Sequence, residues 1–328
     1  MKEAIIRILK ENEEEFISGQ EISNKLNVSR TAIWKYIKLL KEEGYNIDSV
    51  SRKGYRLLSS PDIVTYEEIK PFLNTKNIGK KIIHFDSINS TNIKGKALAD
   101  NGEEEGVVVI AEEQTGGKGR LGRNWVSPKG KGIWMSIILR PNIDPMDATK
   151  ITQIAAASVY TGLEEIGIES HIKWPNDIVL NGKKICGILT EMSGEMIKIN
   201  YLVVGIGINA NIDYNDFPKE VREKATSIKE ELGKEVSRKQ IIGNILNNFE
   251  KLYNEFLEKG NIESSIKICR DRSILIGKKI KIISKGKEIE RLAVDITDTG
   301  ELIVKDNLGE ITKIISGEVS VRGINGYV

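Results

Sequence analysis

The 328-residue chain contains only two cysteines, Cys186 and Cys269, far apart and outside any C-x-x-C pair. That argues against a disulfide framework or a cysteine-built zinc cluster and suits a reducing cytosol. It contains only two histidines, His84 and His171, which disfavours a histidine-based metal site or catalytic triad. No apolar run approaches the ~18–20 residues of a membrane span. The opening "MKEAIIRILKENEEEF" places acidic residues directly after a short apolar stretch, unlike a signal peptide. An excess of one charge is also missing: 49 Lys+Arg face 47 Asp+Glu, a net +2, so distribution rather than total must identify partners. What remains is a cytoplasmic globular protein with 40% hydrophobic residues, no membrane partner, and length for two or three domains.

Three blocks follow one another. In residues 1–60, Ile5, Ile8 and Leu9 share one helix face. "SGQEISNKLNVSRTAIWKYIKLLKEEG" reads as two helices around a turn at Asn27–Ser29, with Ser29 as N-cap and Gly44 as the stop. Ile33, Ile37 and Leu40 make the buried stripe of the second helix. Arg30, Thr31, Trp34, Lys35 and Lys38 are left outward. Two short strands around Arg52-Lys53-Gly54 complete the order of a winged helix-turn-helix. Residues 1–21 hold three cations and six anions, whereas residues 29–56 hold seven cations and three anions. The charge therefore sits where phosphates would be met, and Ser29, Arg30, Thr31, Trp34, Lys35, Lys38, Arg52 and Lys53 are the DNA-facing candidates.

After a linker at "SSPD" (59–62), residues 61–270 alternate strands and helices. "KKIIHF", "GVVVIA", "IWMSIIL", "ESHIKW", "KICGILTEM" and "YLVVGIGIN" read as strands. Helices are expected over 91–100, 148–167 and 237–260. Asn181-Gly182 is a strong hairpin signal and makes the sheet mixed. The polar, weakly periodic stretch 210–235 reads as a mobile loop. Residues 271–328 carry short strands between Gly or Asp turns, a small all-β barrel. The fold class is α/β (α+β).

"GGKGRLGR" at 116–123 spells G-x-G-x-x-G through Gly117, Gly119 and Gly122. A dinucleotide site would need a helix to follow the glycines. "NWVSPKGKG" follows instead, and there is no Lys-Ser/Thr ending for a Walker loop nor any kinase H-R-D or D-F-G. What remains is a cation-rich loop between strands. Its glycines admit close backbone approach to an anion, and Lys118, Arg120 and Arg123 supply charge. Ordering such a loop costs ~1–2 kcal/mol of backbone entropy per residue, so a ligand would be needed to order it well.

A second cluster is "KWPNDIVLNGKKICGIL". Here Asp177 is expected at the end of a strand, and the hairpin returns Lys183 and Lys184 to it, beside Gly187. Alone, Asp177 reads as a turn residue and Lys184 as a surface lysine. Together they read as a reacting centre. The third is "NSTN" at 89–92, where Ser90, Thr91 and Asn92 can cap a helix or bind a small polar ligand.

These motifs, with "DSINSTN" and "GIGIN" (205–209), resemble the biotin–protein ligases. With a winged helix in front and a β-barrel behind, the whole chain is similar to the bifunctional biotin ligases and biotin operon repressors. The resemblance implies a central biotin/lipoate-ligase-type domain and an SH3-like C-terminal barrel. It implies biotin, ATP and Mg²⁺, the Mg²⁺ carried mainly by ATP phosphates, with biotinoyl-AMP as intermediate. Lys184, Arg120 and Asp177 would be catalytic. Ser90, Thr91, Asn92, Gln114, Lys118, Gly119, Arg120, Lys184 and Gly187 would hold biotin. Gly117, Lys118, Arg120, Arg123, Trp125, Asn176, Lys184 and Asn209 would hold ATP or the adenylate. The loop departs from the family's more arginine-rich pattern at Lys118 and Leu121, while Arg120 keeps the retaining position. The implied partners are the biotin carboxyl carrier protein of acetyl-CoA carboxylase or another biotin-dependent carboxylase, operator DNA, and a second copy once the adenylate is bound. A lipoate-type acyl ligase, a ligand-sensing regulator without ligase activity, and a ligase whose first domain binds protein are the alternatives.

Overall fold

The computed structural model describes residues 1–328 except 13, 196, 285–286, 316–319 and 325–326. It divides into two compact units, Met1–Pro71 and Phe72–Val328.

The first unit holds α1 (Lys2–Lys10), α2 (Gly19–Leu26), α3 (Arg30–Glu42), the antiparallel pair β1 (Asn46–Val50) and β2 (Gly54–Ser59), and the short α4 (Tyr66–Ile69). A capping box starts α2: Glu21 N donates to Ser18 Oγ at 3.1 Å and Ser18 N donates to the Glu21 carboxylate at 3.0 Å. Asn27 ends it in the left-handed conformation, and Ser29 Oγ accepts from Ala32 N to start α3. The expected faces are the buried ones. Ile5, Ile8 and Leu9 of α1 meet Ile33, Ile37 and Leu40 of α3, with Ile22, Ile47 and Leu57 closing the cluster. At ~1.5–3 kcal/mol per buried aliphatic side chain, this small core holds the three helices on the wing.

The second unit is built on a seven-stranded sheet. Its strands are β3 (Ile82–Phe85), β4 (Val108–Ala111), β5 (Ile133–Leu139), β6 (His171–Lys173), β7 (Asp177–Leu180), β8 (Lys183–Glu195) and β9 (Lys198–Ile208). Their order is β3-β4-β5-β9-β8-β7-β6. Only β3 and β4 run parallel, so the sheet is mixed, as the Asn181-Gly182 hairpin implied. Helices α5 (Thr91–Asp100), α6 (Ala148–Glu164), α7 (Ile228–Leu232), α8 (Arg238–Lys259) and α9 (Glu263–Asp271) accompany it. Ser237 caps α8 through Gln240 N, and Gly260 ends it with a positive φ. The apolar faces of α6 (Ile151, Ile154, Val159, Leu163) and α8 (Ile241, Ile245, Phe249, Phe256) are fully buried.

The chain ends in a five-stranded antiparallel sheet of β10 (Lys279–Ser284), β11 (Lys287–Ile296), β12 (Leu302–Lys305), β13 (Ile311–Ile314) and β14 (Ser320–Gly323), ordered β13-β12-β11-β10-β14. Of the stretch 271–328 expected to carry short strands, residues 285–286, 316–319 and 325–326 lie outside the described residues. Contacts that join this last part of the chain, from residue 271 on, to the larger sheet include Trp174 Nε1 donating to Gly300 O at 2.8 Å and Ile172 N donating to Arg272 O at 2.8 Å.

Two expectations change. Asp177 does not end a strand; it begins β7 after a turn at 174–176 that contains a cis Trp174–Pro175 bond. The stretch 210–235 is not a featureless loop. Ile212, Phe217 and Ile228 are buried in it, Asp213 pairs with Lys131 and Lys229, and Lys184 pairs with Ala225 as an isolated bridge.

Candidate active site

The strands β7, β8 and β9, the start of α5, the glycine loop and the end of the chain surround one cavity of about 740 Å³. That lies within the usual range for a small-molecule site, ~300–1,000 Å³. Its walls include Ser90, Thr91, Asn92, Gln114, Lys118, Gly119, Arg120, Arg123, Trp125, Asn176, Asp177, Lys184, Gly187 and Asn209. Of the residues that the resemblance assigns to biotin, ATP or catalysis, only Gly117 is not on the wall. It sits directly behind it, where a Cβ would lie 2.6 Å from Trp125 O.

Register explains the central pair. Asp177 lies opposite Gly187 in the β7–β8 ladder, and an irregularity between Ile178 and Val179 shifts Lys184 opposite Val179. The Lys184 side chain then reaches back to Asp177, with Nζ 2.5 Å from Oδ1. Lys184 is fixed from behind as well: its N donates to Lys224 O, and its carbonyl accepts from Thr226 N. Gly187 is a requirement of space. Its missing Cβ would lie 3.0 Å from Lys184 Nζ and 3.1 Å from Trp125 Cζ3. Gly207 does the same on β9, where a Cβ would lie 2.6 Å from Trp125 Nε1. The Trp125 ring thus rests on two glycines, with Lys184 Nζ 5.1 Å from the ring centroid.

The polar end of the cavity is a network at the start of α5. Ser90 occupies the N-cap, but its side chain makes no capping bond. Gln114 supplies the cap instead, its Oε1 accepting from Thr91 N at 2.9 Å. Gln114 Nε2 donates to Ser127 Oγ, and Ser136 Oγ lies 2.8 Å from Thr91 Oγ1 and 2.6 Å from Asn92 Oδ1. Asn92 Nδ2 reaches Glu191 at 2.8 Å, which fixes its orientation.

The glycine loop is ordered as a tight turn. Gly119 N donates to Arg123 O at 2.7 Å, and Trp125 N donates to Gly117 O at 2.9 Å. A single 3₁₀ turn at Arg120–Gly122 precedes an antiparallel strand, so no helix offers its N-terminus to a dinucleotide. Arg120 points inward and donates to Asn176 Oδ1 at 2.8 Å, while Asn176 Nδ2 donates to Ile188 O. Burial holds the Arg120 guanidinium below its ordinary value; Asp177 opposes this, and Arg123 adds to it. Asn209 is buried and donates to Thr226 O.

Seven cations line the cavity (Lys118, Arg120, Arg123, Lys173, Lys184, Lys224 and Arg322), against two acids, Asp177 and Glu223. In a partly buried site such like charges repel, and bound anions relieve the repulsion. This concentration, in a chain whose net charge is only +2, separates an anion site from a solvated basic loop. The wall residues without an assignment from the sequence include Lys173, Arg322 and Tyr327. The Tyr327 hydroxyl donates to Asp177 Oδ2, and Lys173 Nζ stands 3.3 Å from the Tyr327 ring centroid. Lys173 lies in a motif already singled out, but its burial is visible only in three dimensions. Nothing local marks Arg322 or Tyr327.

On the first unit, Ser29, Arg30, Thr31, Trp34, Lys35, Lys38, Arg52 and Lys53 are all exposed, Trp34 at 57%. Among the described residues, Arg30, Lys35 and Arg52 form no ion pair.

Residues 84–209 match the Biotin/lipoate A/B protein ligase family, residues 2–56 an HTH domain, and residues 275–322 the Biotin protein ligase C terminal domain. The chain is 40% identical over 323 residues, 98% of both chains, to the bifunctional ligase/repressor BirA of Bacillus subtilis (strain 168). It is 28% identical to BirA of Escherichia coli (strain K12), over 94% of both chains. Among solved structures, the biotin protein ligase from Aquifex aeolicus in complex with biotin and ATP is similar with a TM-score of 0.65 and 29% identity, over 74% of this chain and 99% of that one. Similarity to the B. subtilis protein runs through the helix-turn-helix, the cavity and the last sheet alike, and the chain belongs to the family of bifunctional biotin ligase/repressors.

Proposed function

We propose that the protein joins biotin to ATP as biotinoyl-5'-AMP, transfers the biotinoyl group to a lysine of a biotin carboxyl carrier protein, and represses biotin genes when charged with the adenylate. The observation that carries the reading is the Lys184–Asp177 pair, with Arg120, on a cavity whose charged lining is mainly basic.

In the first step, the biotin carboxylate attacks the α-phosphate of ATP, and pyrophosphate leaves. Two anions must approach one another, and fixed cations in a water-poor site lower that barrier. Lys184 is placed to bridge carboxylate and α-phosphate. Arg120, with Lys118 and Arg123, holds phosphate and shields the mixed anhydride from water. Ser90, Thr91, Asn92 and Gln114, with the Gly119–Arg120 backbone, take the ureido head. Trp125 covers the ligand, and Asn176 positions Arg120. Among the described residues, no three His, Cys, Asp or Glu side chains converge on a metal position, so magnesium would arrive on the phosphates of ATP. In the second step, Asp177 receives the acceptor lysine and orients it.

The domain division follows the chemistry: residues 1–60 for operator DNA, 61–270 for biotin and ATP, and 271–328 as an SH3-like module that completes the cavity. Adenylate bound to the glycine loop creates the surface on which two cytoplasmic copies dimerise, and the paired wings then meet a two-fold operator. Mass spectrometry of a carrier domain incubated with the protein, biotin and Mg-ATP tests the ligase. A biotinoyl mass increment on one lysine is expected, and its absence, or acylation by lipoate or octanoate instead, overturns it. Sedimentation and gel shift with and without biotin plus ATP test the repressor. A mass and DNA affinity that ignore the ligands leave only the enzyme.

A further inference from the structure

Both carboxylate oxygens of Asp177 are engaged in this geometry. Lys184 Nζ engages Oδ1 at 2.5 Å, and the Tyr327 hydroxyl engages Oδ2. A base works best with a pKa near the working pH.

A better-matched group stands beside it. Lys173, the last residue of β6, registers opposite Asp177, the first of β7. It lines the cavity yet is only 3% exposed. Among the described residues it forms no ion pair, and its Nζ faces the ring of Tyr327. We propose that Lys173 is a further catalytic residue of the transfer step: its neutral amine takes the proton of the acceptor lysine, while Asp177 holds that lysine in place. The proposal rests on the acyl-adenylate reading above.

The groups around it fix its charge. Burial pulls the Lys173 ammonium down to about 7. Asp177 on β7 opposes this, while Lys184 on β8, Arg322 on β14 and Arg123 of the glycine loop push the same way as burial. The Tyr327 ring face favours the cation. Its hydroxyl stays protonated, because burial beside Asp177 raises it well above its ordinary value. At pH 7 about half of Lys173 is then neutral, against about one in 2,500 for a free lysine. In the step itself, the acceptor ammonium gives one proton to Lys173 Nζ. Its freed lone pair forms the C–N bond to the biotinoyl carbon. The bond from that carbon to the phosphate oxygen breaks, its electron pair leaving on AMP, and the second N–H proton leaves with the phosphate.

The test is single-turnover transfer from preformed biotinoyl-AMP to saturating carrier domain, between pH 6 and 9, beside pyrophosphate release for the first step. Lys173→Arg keeps the charge and cannot act as a base. It is expected to slow transfer at least 100-fold more than it slows adenylate formation, and to abolish the wild-type rate inflection near pH 7. Transfer within threefold of wild type, or equal loss in both steps, overturns the assignment; the second result marks Lys173 as a phosphate-binding cation. Circular dichroism and thermal melting of the variant are its folding control. If it fails them, Lys173→Gln takes its place with the same expectations. A wild-type protein that makes no biotinoyl-AMP defeats the ligase reading itself.

Discussion

Gly187→Ala adds one methyl group to the cavity wall, and its effect can be worked from distances. The new Cβ would lie 3.0 Å from Lys184 Nζ, 3.1 Å from Lys184 Cε and 3.1 Å from Trp125 Cζ3. Ordinary contacts are ~3.5–4.0 Å, so the neighbours must give by a few tenths of an ångström. Trp125 has little room to give, because its indole nitrogen already rests on Gly207. The flexible end of Lys184 moves instead, away from the carboxylate 2.5 Å from it. Gly187 does not have a positive φ, so no backbone strain is added, and the fold should lose no more than the ~1–3 kcal/mol of an overpacked site. A catalytic group misplaced by ~1 Å costs on the order of 100-fold, or about 2.7 kcal/mol of barrier. A shift of a few tenths of an ångström takes part of that barrier, so the expected result is adenylate formation slowed ~10-fold, read as pyrophosphate release, with the melting temperature lowered by only a few degrees. Gly187→Val should be slower still. Gly187→Ala activity within threefold of wild type would show that Lys184 need not stand where the glycine lets it stand.

Other substitutions separate the remaining roles. Arg120→Gly removes an inward guanidinium held by Asn176, so the adenylate should escape and label bystander lysines; bystander labelling at the wild-type level, read by streptavidin blot, refutes retention by Arg120. Asp177→Asn should still form biotinoyl-AMP but transfer it at least 10-fold more slowly in single turnover, and comparable transfer rates would remove Asp177 from the second step. Lys53→Ala and Arg30→Ala, both exposed, should weaken DNA binding uniformly across sequences. Each should reduce the slope of log affinity against log salt by about one, and an unchanged slope means that no phosphate is met there.

Local signals carry much of the fold. Capping residues at Ser18, Ser29 and Ser237, and the turn at Asn181-Gly182, act through their immediate neighbours, so the elements they bound are readable from short windows. The stretch 210–235 escapes such a reading because its buried residues, Ile212, Phe217 and Ile228, follow neither a helical nor a strand period. Ile212 and Phe217 cluster with Trp134, and Ile228 N donates to Asn209 O, contacts that no window of 210–235 contains whole. Glycine content alone makes the 116–123 loop look dependent on a ligand for order, yet three short-range backbone bonds and the Lys118–Asn124 bridge already close it. Tyr327 lies 150 residues from the carboxylate it meets, beyond the reach of any pattern.

That long-range contact changes what the last sheet is for. Trp174 is the second residue of K-W-P-N-D, and its indole N–H is satisfied by Gly300 of the terminal sheet. Its neighbours Lys173 and Asp177 meet Tyr327. One five-residue turn is therefore gripped at two places by the same small module. An unsatisfied buried N–H costs ~1–3 kcal/mol, so losing the Gly300 contact would loosen the turn that precedes Asp177. The position of Asp177 is thus set by Gly300 and Tyr327 as well as by its own hairpin. An active site announced in the sequence by three short motifs is completed by a further segment with no motif at all.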